Sequence, residues 1–398
     1  MKTNSTNCRL RILLPVLTLL FCSGALTALS EDGNTRSTAT WILPGTRSAS
    51  LTSGDIDYFR FTVTQTGQIA IFSEGFVDVR ATLYDEGGNR VDSDDQGGAE
   101  NNFFLDRQIN AGTYFIEVQS GFAINALKTG NYSMTLRTQE SAPFITGSSL
   151  PGELRPGSAD FYRITVGQAG LFETYTTGTT NTGGFVYNEV GTFVGSHDVQ
   201  GHANFHFVRE RFQPGTYLLI VKGGGRYSYS PPASGPYEVF VLRPELAETL
   251  TESPMDRILD PLGDVDHFTF VVPEYGSVRF WSTGFTDTRC QLYDSVGGYV
   301  SGSANSDSGD GYNFYRAMNL QPGRYYLRVS GESSGNPRGA YQIHLDLPGP
   351  EGELRASIIA QISATKRAFK NAKKNGKSAK ARNLKKNLGK LTRSLRSL

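Results

Sequence analysis

Apolar and polar positions alternate with a period of two through most of this chain. In "GDIDYFRFTVTQTG", Gly54 to Gly67, Phe59, Phe61 and Val63 fall on one face while Arg60 and Thr62 fall on the other. The alternation returns in "GSADFYRITVGQAG", Gly157 to Gly170, with Tyr162, Ile164 and Val166, and in "GDVDHFTFVVPEYG", Gly263 to Gly276, with Phe268, Phe270 and Val272. Period two with one apolar face predicts a half-buried strand packed on one side. The three segments recur at intervals of about a hundred residues, a common single-domain size, so one unit is written three times.

Other landmarks keep the same order in each copy. "ATLYDEGGNRV", "GFVYNEVGTFV" and "CQLYDSVGGYV" each run an apolar strand into an acid or amide and a glycine, then resume apolar, which predicts a hairpin. Gly88, Gly191 and Gly297 hold equivalent places, where a positive φ suits glycine. A Gly- and Asp-rich loop follows, then Asn102-Phe103, Asn204-Phe205 or Asn313-Phe314. Turns at "NAGTYFIEV", "QPGTYLLIV" and "QPGRYYLRV" launch a further strand, and Tyr132, Tyr237 and Tyr341 lead the last one. Four clear strands per unit, with room for three or four weaker ones, predict an all-β chain of three tandem antiparallel β-sandwiches. Their expected limits are Thr35–Gln139, Ala142–Pro244 and Leu246–Leu347.

After residue 347 the period changes. A linker is expected over 348–353, then a helical tail over 354–398. Ile358, Ile362, Thr365, Phe369 and Ala372 recur at helical spacing, as do Leu384, Leu388, Leu391, Leu395 and Leu398. Between the two stripes, Gly376 is placed to end one helix and Ser378 to cap the next. The pattern predicts an antiparallel α-helical hairpin with facing apolar stripes. A disordered basic tail is the alternative, because charges of one sign repel.

Charge sharpens that picture. Lys and Arg total 39 against 38 Asp and Glu, but the distribution is uneven. From Arg355 to Leu398 there are fourteen basic residues and no acid. Such a tail, through Lys366, Arg367, Lys370, Lys373, Lys374, Lys377, Lys380, Arg382, Lys385, Lys386, Lys390, Arg393 and Arg396, is expected to bind polyanions: an anionic envelope lipid, a polysaccharide or extracellular nucleic acid. At the other end, "MKTNSTNCRLR" precedes the apolar run "ILLPVLTLLFCSGAL" and the small residues of "ALS". Residues 1–30 read as a signal peptide, too short for a comfortable membrane span, which predicts export. A lipid anchor at Cys22 is disfavoured by Phe21 before it. With Cys8 and Cys22 in the leader, Cys290 is left alone, and alternation points it at the core as an inert thiol.

The search for chemistry finds little. H-E-x-x-H and Walker-type loops are absent from the sequence. "HDVQGHANFH" offers His197, Asp198, His202 and His206 to zinc, but Phe205 and Phe207 flank His206 as the inward pair, which favours surface histidines on a polar loop. Calcium is the metal the oxygen-rich loops suit better. Asp92, Asp94, Asp95 and Glu100 gather in one turn of the first copy, and Asp55, Asp57, Asp264 and Asp266 stand at strand starts, where turn capping is the competing role. The second copy, with Ser158 and Asn188 in place of acids, is expected to be the weakest calcium site.

Taken in order, these landmarks resemble the bacterial pre-peptidase C-terminal domain over roughly residues 36–347. That pattern runs through a D-x-D-Y-F strand, an L-Y-D-x-x-G hairpin, a D-D-x-G-G loop before N-F, and a P-G-T-Y-Y strand. Asp55, Asp57, Tyr58, Phe59, Leu83, Tyr84, Asp85, Asp94, Asp95, Gly97, Gly98, Gly112, Thr113 and Tyr114 carry it in the first copy. The third copy departs at His267, and the second at Ser158 and Asn188. The family is similar to the collagen-binding modules of clostridial collagenases, so the resemblance implies calcium-stabilised jelly-roll sandwiches accessory to secreted enzymes. It implies binding or adhesion and no catalysis.

The expectation is therefore a secreted, periplasmic or cell-surface protein that is not an enzyme. Its sandwiches would present surfaces to an extracellular matrix protein or polysaccharide, with Phe115, Tyr326, Tyr227 and Tyr229 as exposed aromatics. A structural spacer for the tail, or an accessory factor of a secreted hydrolase, are the alternatives.

Overall fold

A computed structural model of the chain describes residues 33–197, 205–223, 233–251, 253–332, 337–374 and 378–396. The expected signal peptide, Asp198, His202, Tyr227, Tyr229, Gly376, Lys377 and Leu398 lie outside these residues. Three β-sandwiches follow one another, then two helices.

In each unit a front sheet and a back sheet enclose an apolar core. The front sheet of the first sandwich orders Thr40–Trp41, Ile56–Val63, Gly112–Ser120, Val79–Asp85 and Arg90–Asp94. Its back sheet orders Gly45–Leu51, Gly130–Thr138, Gly67–Glu74 and Phe104–Ile109. The second sandwich has front strands Ala159–Val166, Gly215–Gly223, Thr182–Asn188 and Phe193–His197, and back strands Ser149–Leu154, Gly235–Leu242, Gly170–Thr177 and His206–Phe212. The third repeats this order, with back strands Met255–Leu259, Gly339–Asp346, Gly276–Gly284 and Tyr315–Leu320. Pairing is antiparallel apart from short parallel additions such as Thr40–Trp41 on Ile56–Val63.

Alternation places the cores where it should. Phe59, Phe61 and Val63 are buried in the first core, Tyr162, Ile164 and Val166 in the second, Phe268, Phe270 and Val272 in the third. The hairpin glycines Gly88, Gly191 and Gly297 have φ of 87°, 77° and 79°. At Gly297 a Cβ would also lie 2.1 Å from the Gly170 carbonyl carbon of the preceding sandwich. The position is therefore closed to side chains twice over.

One-sided packing holds for Ile56–Val63 but not for the strands that meet a neighbouring sandwich. Seven of the eight residues of Gly67–Glu74 are buried, and all eight of Gly170–Thr177. The outer faces of the first two back sheets are covered by the front sheet of the next sandwich. At the first junction Ala70 and Phe72 meet Ala159, Phe161, Leu218 and Ile220. At the second, Leu171 meets Tyr293 and Tyr326. Tyr326, expected on the surface, is 4% exposed and accepts a hydrogen bond from Gln168 Nε2 at 3.2 Å. Phe115 is half-buried, with the Arg36 guanidinium 5.0 Å from its ring centroid.

The tail forms two helices, Pro350–Lys374 and Ser378–Arg396. The first starts inside the expected linker, because Pro350 has a φ already suited to the first helical turn and lacks only an N–H that the helix leaves unpaired there. Ile358, Ala372 and Ala381 are buried, and Ile362, Thr365, Phe369, Leu384, Leu388 and Leu391 half-buried. The two stripes pack on each other, which is what a pair of helices this polar needs to persist in water.

Candidate functional site

The carboxylates singled out for calcium do not converge. Among the described residues no three His, Cys, Asp or Glu side chains come together as metal ligands. Asp55 accepts from the Ile56 and Thr52 amides and Asp264 from the Val265 and Asp260 amides, the turn-capping role. Asp57 and Asp266 are held by the hydroxyls of Tyr132, at 2.7 Å, and Tyr341, at 2.6 Å. Asp92 pairs with Arg107, and Asp94 accepts from the Gly97 and Phe104 amides. Glu100 has a positive φ of 54°.

Asp95 leads elsewhere. A Cβ on Gly121 would lie 2.0 Å from Asp78 Oδ1 and 2.6 Å from Asp95 Oδ1, so both carboxylates face one spot. Asp78 is fully buried, and its Oδ1 has no hydrogen-bond partner. The Lys128 ammonium sits beside it, bonded to Asp78 Oδ2 and to the Gly121 and Ala123 carbonyls, both at 2.7 Å. Oxygens thus surround the Lys128 ammonium at this end of the first sandwich, and sequence reasoning missed Asp78 at its centre. Asp78 lies in "GFVDV", and "GFTDT" puts Asp287 at the same place in the third copy; that echo was the available signal.

His206 points away from its own core, as the flanking phenylalanines required. It lands in the second junction rather than on a polar loop. Its Nε2 is bonded to Glu173, which is fully buried. His267 Nε2 reaches the other Glu173 oxygen at 2.8 Å, and Arg328 grips both, Nη2 to Oε1 at 2.7 Å and Nε to Oε2 at 2.8 Å. A carboxylate only accepts, so both imidazoles present N–H to it. Burial alone would raise the Glu173 pKa; Arg328 and the hydrogen bonds from the two histidines and Arg328 outweigh it and hold the group well below its ordinary range. One buried acid with three donors clamps two sandwiches together.

The third back sheet carries no further sandwich. On its outer face Trp281 lies directly across from Tyr315 on one neighbouring strand and His344 on the other. The Trp281 and His344 rings stack at 4.8 Å and 9°, and Tyr315 lies 6.2 Å from Trp281. Next to this row Asp256, Thr283, Gln342 and Phe285 line a cleft of about 470 Å3.

Every basic residue of the tail for which the side chain is described beyond position 365 is exposed: Lys366, Arg367, Lys370, Lys373, Lys374, Lys380, Arg382, Lys385, Lys386, Lys390 and Arg393. Cys290 is fully buried, and burial pushes its thiol up to about 12. Among the described residues no helix is long and apolar enough to cross a membrane.

No protein-family model and no curated relative matches the chain. Among solved structures it is similar to the pre-peptidase C-terminal domain of a collagenase from Bacillus anthracis, at 20% identity over 25% of this chain and 93% of that one, with a TM-score of 0.21. It is also similar to the CUB1-EGF-CUB2 region of human MASP-1/3, at 8% identity over 50% of this chain and 100% of that one, TM-score 0.17. A third likeness is to the tandem CBM51 modules of a family 98 glycoside hydrolase from Streptococcus pneumoniae, at 8% identity, 50% and 84% coverage, and TM-score 0.16.

Proposed function

We propose that this is an exported, non-catalytic binding protein of pre-peptidase C-terminal-like sandwiches, held to an anionic surface by its helical hairpin. The observation that carries the reading is the hairpin: two helices packed through their apolar stripes turn a continuous set of lysines and arginines outward, and no acid follows Glu353. Each such residue near an anionic membrane contributes on the order of 1 kcal/mol, so several acting together suffice for retention. The mature chain should bind anionic vesicles and heparin-like polymers at low salt and release them at high salt. A chain truncated after Glu353 should not bind; equal binding by both would remove the hairpin as anchor.

Calcium belongs at one end of the first sandwich in this reading. Asp78 and Asp95, with the Gly121 and Ala123 carbonyls, supply oxygens of the kind a hard cation takes, at the place the Lys128 ammonium occupies. Calcium should raise the melting temperature of the full chain relative to chelator, and Asp78→Asn should abolish the shift. A calcium shift that survives Asp78→Asn places the ion elsewhere.

A further inference from the structure

The row of sandwiches has two open ends, and their centres match. In the back strands Gly67–Glu74, Gly170–Thr177 and Gly276–Gly284 the fourth residues are Ala70, Glu173 and Arg279. In the front strands Gly112–Ser120, Gly215–Gly223 and Gly323–Gly331 the sixth residues are Glu117, Ile220 and Arg328. Ala70 packs with Ile220 at the first junction, and Glu173 is bonded to Arg328 at the second. Two residues of the series are left over, Glu117 on the first front sheet and Arg279 on the last back sheet. They have opposite charges, the pair of the second junction with its polarity reversed. Both faces are uncovered: Ala70 and Glu173 are fully buried, whereas the Arg279 side chain is 33% exposed, and Ile220 and Arg328 are buried, whereas Glu117 is half-buried.

Each left-over residue has a partner in its own sheet. Glu117 accepts from the Tyr58 hydroxyl and the Gln119 amide, and Arg279 pairs with Asp346 at 3.4 Å. Arg328 shows that such partners leave room for another, since it meets Gln291 and Ser330 of its own sandwich while gripping Glu173. A guanidinium offers five N–H donors and a carboxylate accepts several, so both ends of the new pair have capacity to spare.

One side chain stands in the way. At both junctions the hairpin glycine of the front sheet, Gly191 or Gly297, faces the first residue of the preceding back strand, Gly67 or Gly170. On the first front sheet the Arg36 guanidinium fills the equivalent place beside Gly88. Arg36 is held there by the Glu86 carbonyl at 3.2 Å and by the Tyr84 and Phe115 rings, while its Nε is buried with no hydrogen-bond partner. Its turn, Arg36–Thr38, buries no residue and is the equivalent of Pro244–Leu246. Pro348 already fills the place beside Gly276 that Pro244 fills beside Gly170, so an incoming copy docks with its own turn swung aside. We infer that copies of this chain stack head to tail, the last back sheet of one on the first front sheet of the next, with Arg279 paired to Glu117 and Arg36 as the latch that opposes docking. The contact joins unlike faces, so it does not close on itself at two copies. The inference goes beyond the anchoring reading and needs neither the hairpin nor calcium.

The test is sedimentation velocity of the full mature chain over a range of concentration. Arg36→Ala should assemble beyond the dimer, at a concentration about tenfold or more below that needed by the native chain. Glu117→Arg and Arg279→Glu, each added to Arg36→Ala, should stay monomeric, because the centre then sets like charge against like. An equimolar mixture of these two chains should assemble again, since each supplies the face that the other lacks. One chain with both reversals should assemble as well, because it recreates the polarity of the second junction. Unfolding curves close to the native one show that the variants are folded. Truncation after Glu353 in the Arg36→Ala chain should leave assembly intact. Loss of assembly there overturns the inference, because the basic hairpin then joins the copies. So does a monomer for native and Arg36→Ala chains up to the solubility limit, an assembly that stops at two, undiminished assembly of either charge variant alone, or a mixture of folded variants that stays monomeric.

Discussion

The two junctions between sandwiches use equivalent positions for opposite chemistry. At the first, Ala70 of the back sheet meets Phe161 and Ile220 of the next front sheet, beside Phe104. At the second, the same four places hold Glu173, His267, Arg328 and His206, bonded into one buried cluster. At the first junction, by contrast, charges are confined to partly exposed pairs such as Arg155–Glu74 at 3.1 Å and Arg137–Asp160 at 4.0 Å. A single stacking geometry therefore accepts an apolar or an ionic centre. An apolar contact tolerates small errors of register, whereas a two-pronged guanidinium–carboxylate pair fixes it.

Breaking the ionic centre should have the largest effect. Arg328→Met leaves Glu173 fully buried without its main countercharge, which costs about 3–5 kcal/mol. Converting all four places together, as Glu173→Ala, His206→Phe, His267→Phe and Arg328→Ile, copies the first junction into the second. That variant should be as stable as the native chain or more so by roughly 1–4 kcal/mol, since buried ion clusters rarely outperform packed apolar groups. Denaturant unfolding of the single and quadruple variants decides the matter. A quadruple variant weaker than Arg328→Met would show that the junctions are not interchangeable.

The mirror experiment removes bulk from the apolar centre. Phe161 is 3% exposed between the first two sandwiches. Phe161→Ala should cost about 3 kcal/mol through lost burial and the cavity left behind. The loss should be the same at pH 5 and pH 8, because no titratable group touches the change. A pH-dependent loss would mean that neighbouring ion pairs such as Lys222–Asp106 carry this junction instead.

How much of this was open to a reader of the sequence follows from what local pattern encodes. Alternation fixed the cores, the hairpin glycines and the direction of Cys290, because period two says which way each side chain points. The same rule sent Phe72, Phe161, Glu173 and Tyr326 outward, and outward they are, from their own sandwiches. It cannot say that a second sheet lies there, since covering one face with another unit leaves the period unchanged. A signal did exist: the outward positions of Gly67–Glu74 read Gln68, Ala70 and Phe72, unusually apolar for a solvated face. Glu173 gave the opposite cue, a lone acid between Phe172 and Thr174 that looks like ordinary surface. Its three partners come from positions 206, 267 and 328, a convergence that no local window displays. The acids named for calcium do not converge, for a related reason. Acids that crowd the sequence at 92–95 diverge on alternate faces, while the buried Asp78 and its lysine stand alone in theirs.

The smallest effect concerns an acid beside the second junction, and it separates two windows of pH. Burial raises the Asp266 pKa to about 6, partly offset by the Tyr341 hydroxyl; the charges of Asp264 and Glu248 raise it further and that of Arg257 lowers it. The folded state therefore keeps a proton on Asp266 that the unfolded chain loses nearer 4. Stability from this group is fully present below the ordinary value and falls as pH rises through about 6. Glu173 behaves in reverse: its contribution is complete above the usual glutamate range and is lost only as pH falls well below it. His344, lowered to about 4, adds a slope of opposite sign to that of Asp266, so the comparison must be made between variants and not along one curve. Asp266→Asn, which keeps the shape and removes the titration, should gain stability on the native chain by about 2 kcal/mol or less between pH 4 and 7. Arg328→Met should add a drift of its own, because without Arg328 the burial of Glu173 pushes its pKa upward. Parallel curves for Asp266→Asn and the native chain would show that Asp266 titrates alike folded and unfolded. The acid would then belong to solvent rather than to the sandwich edge.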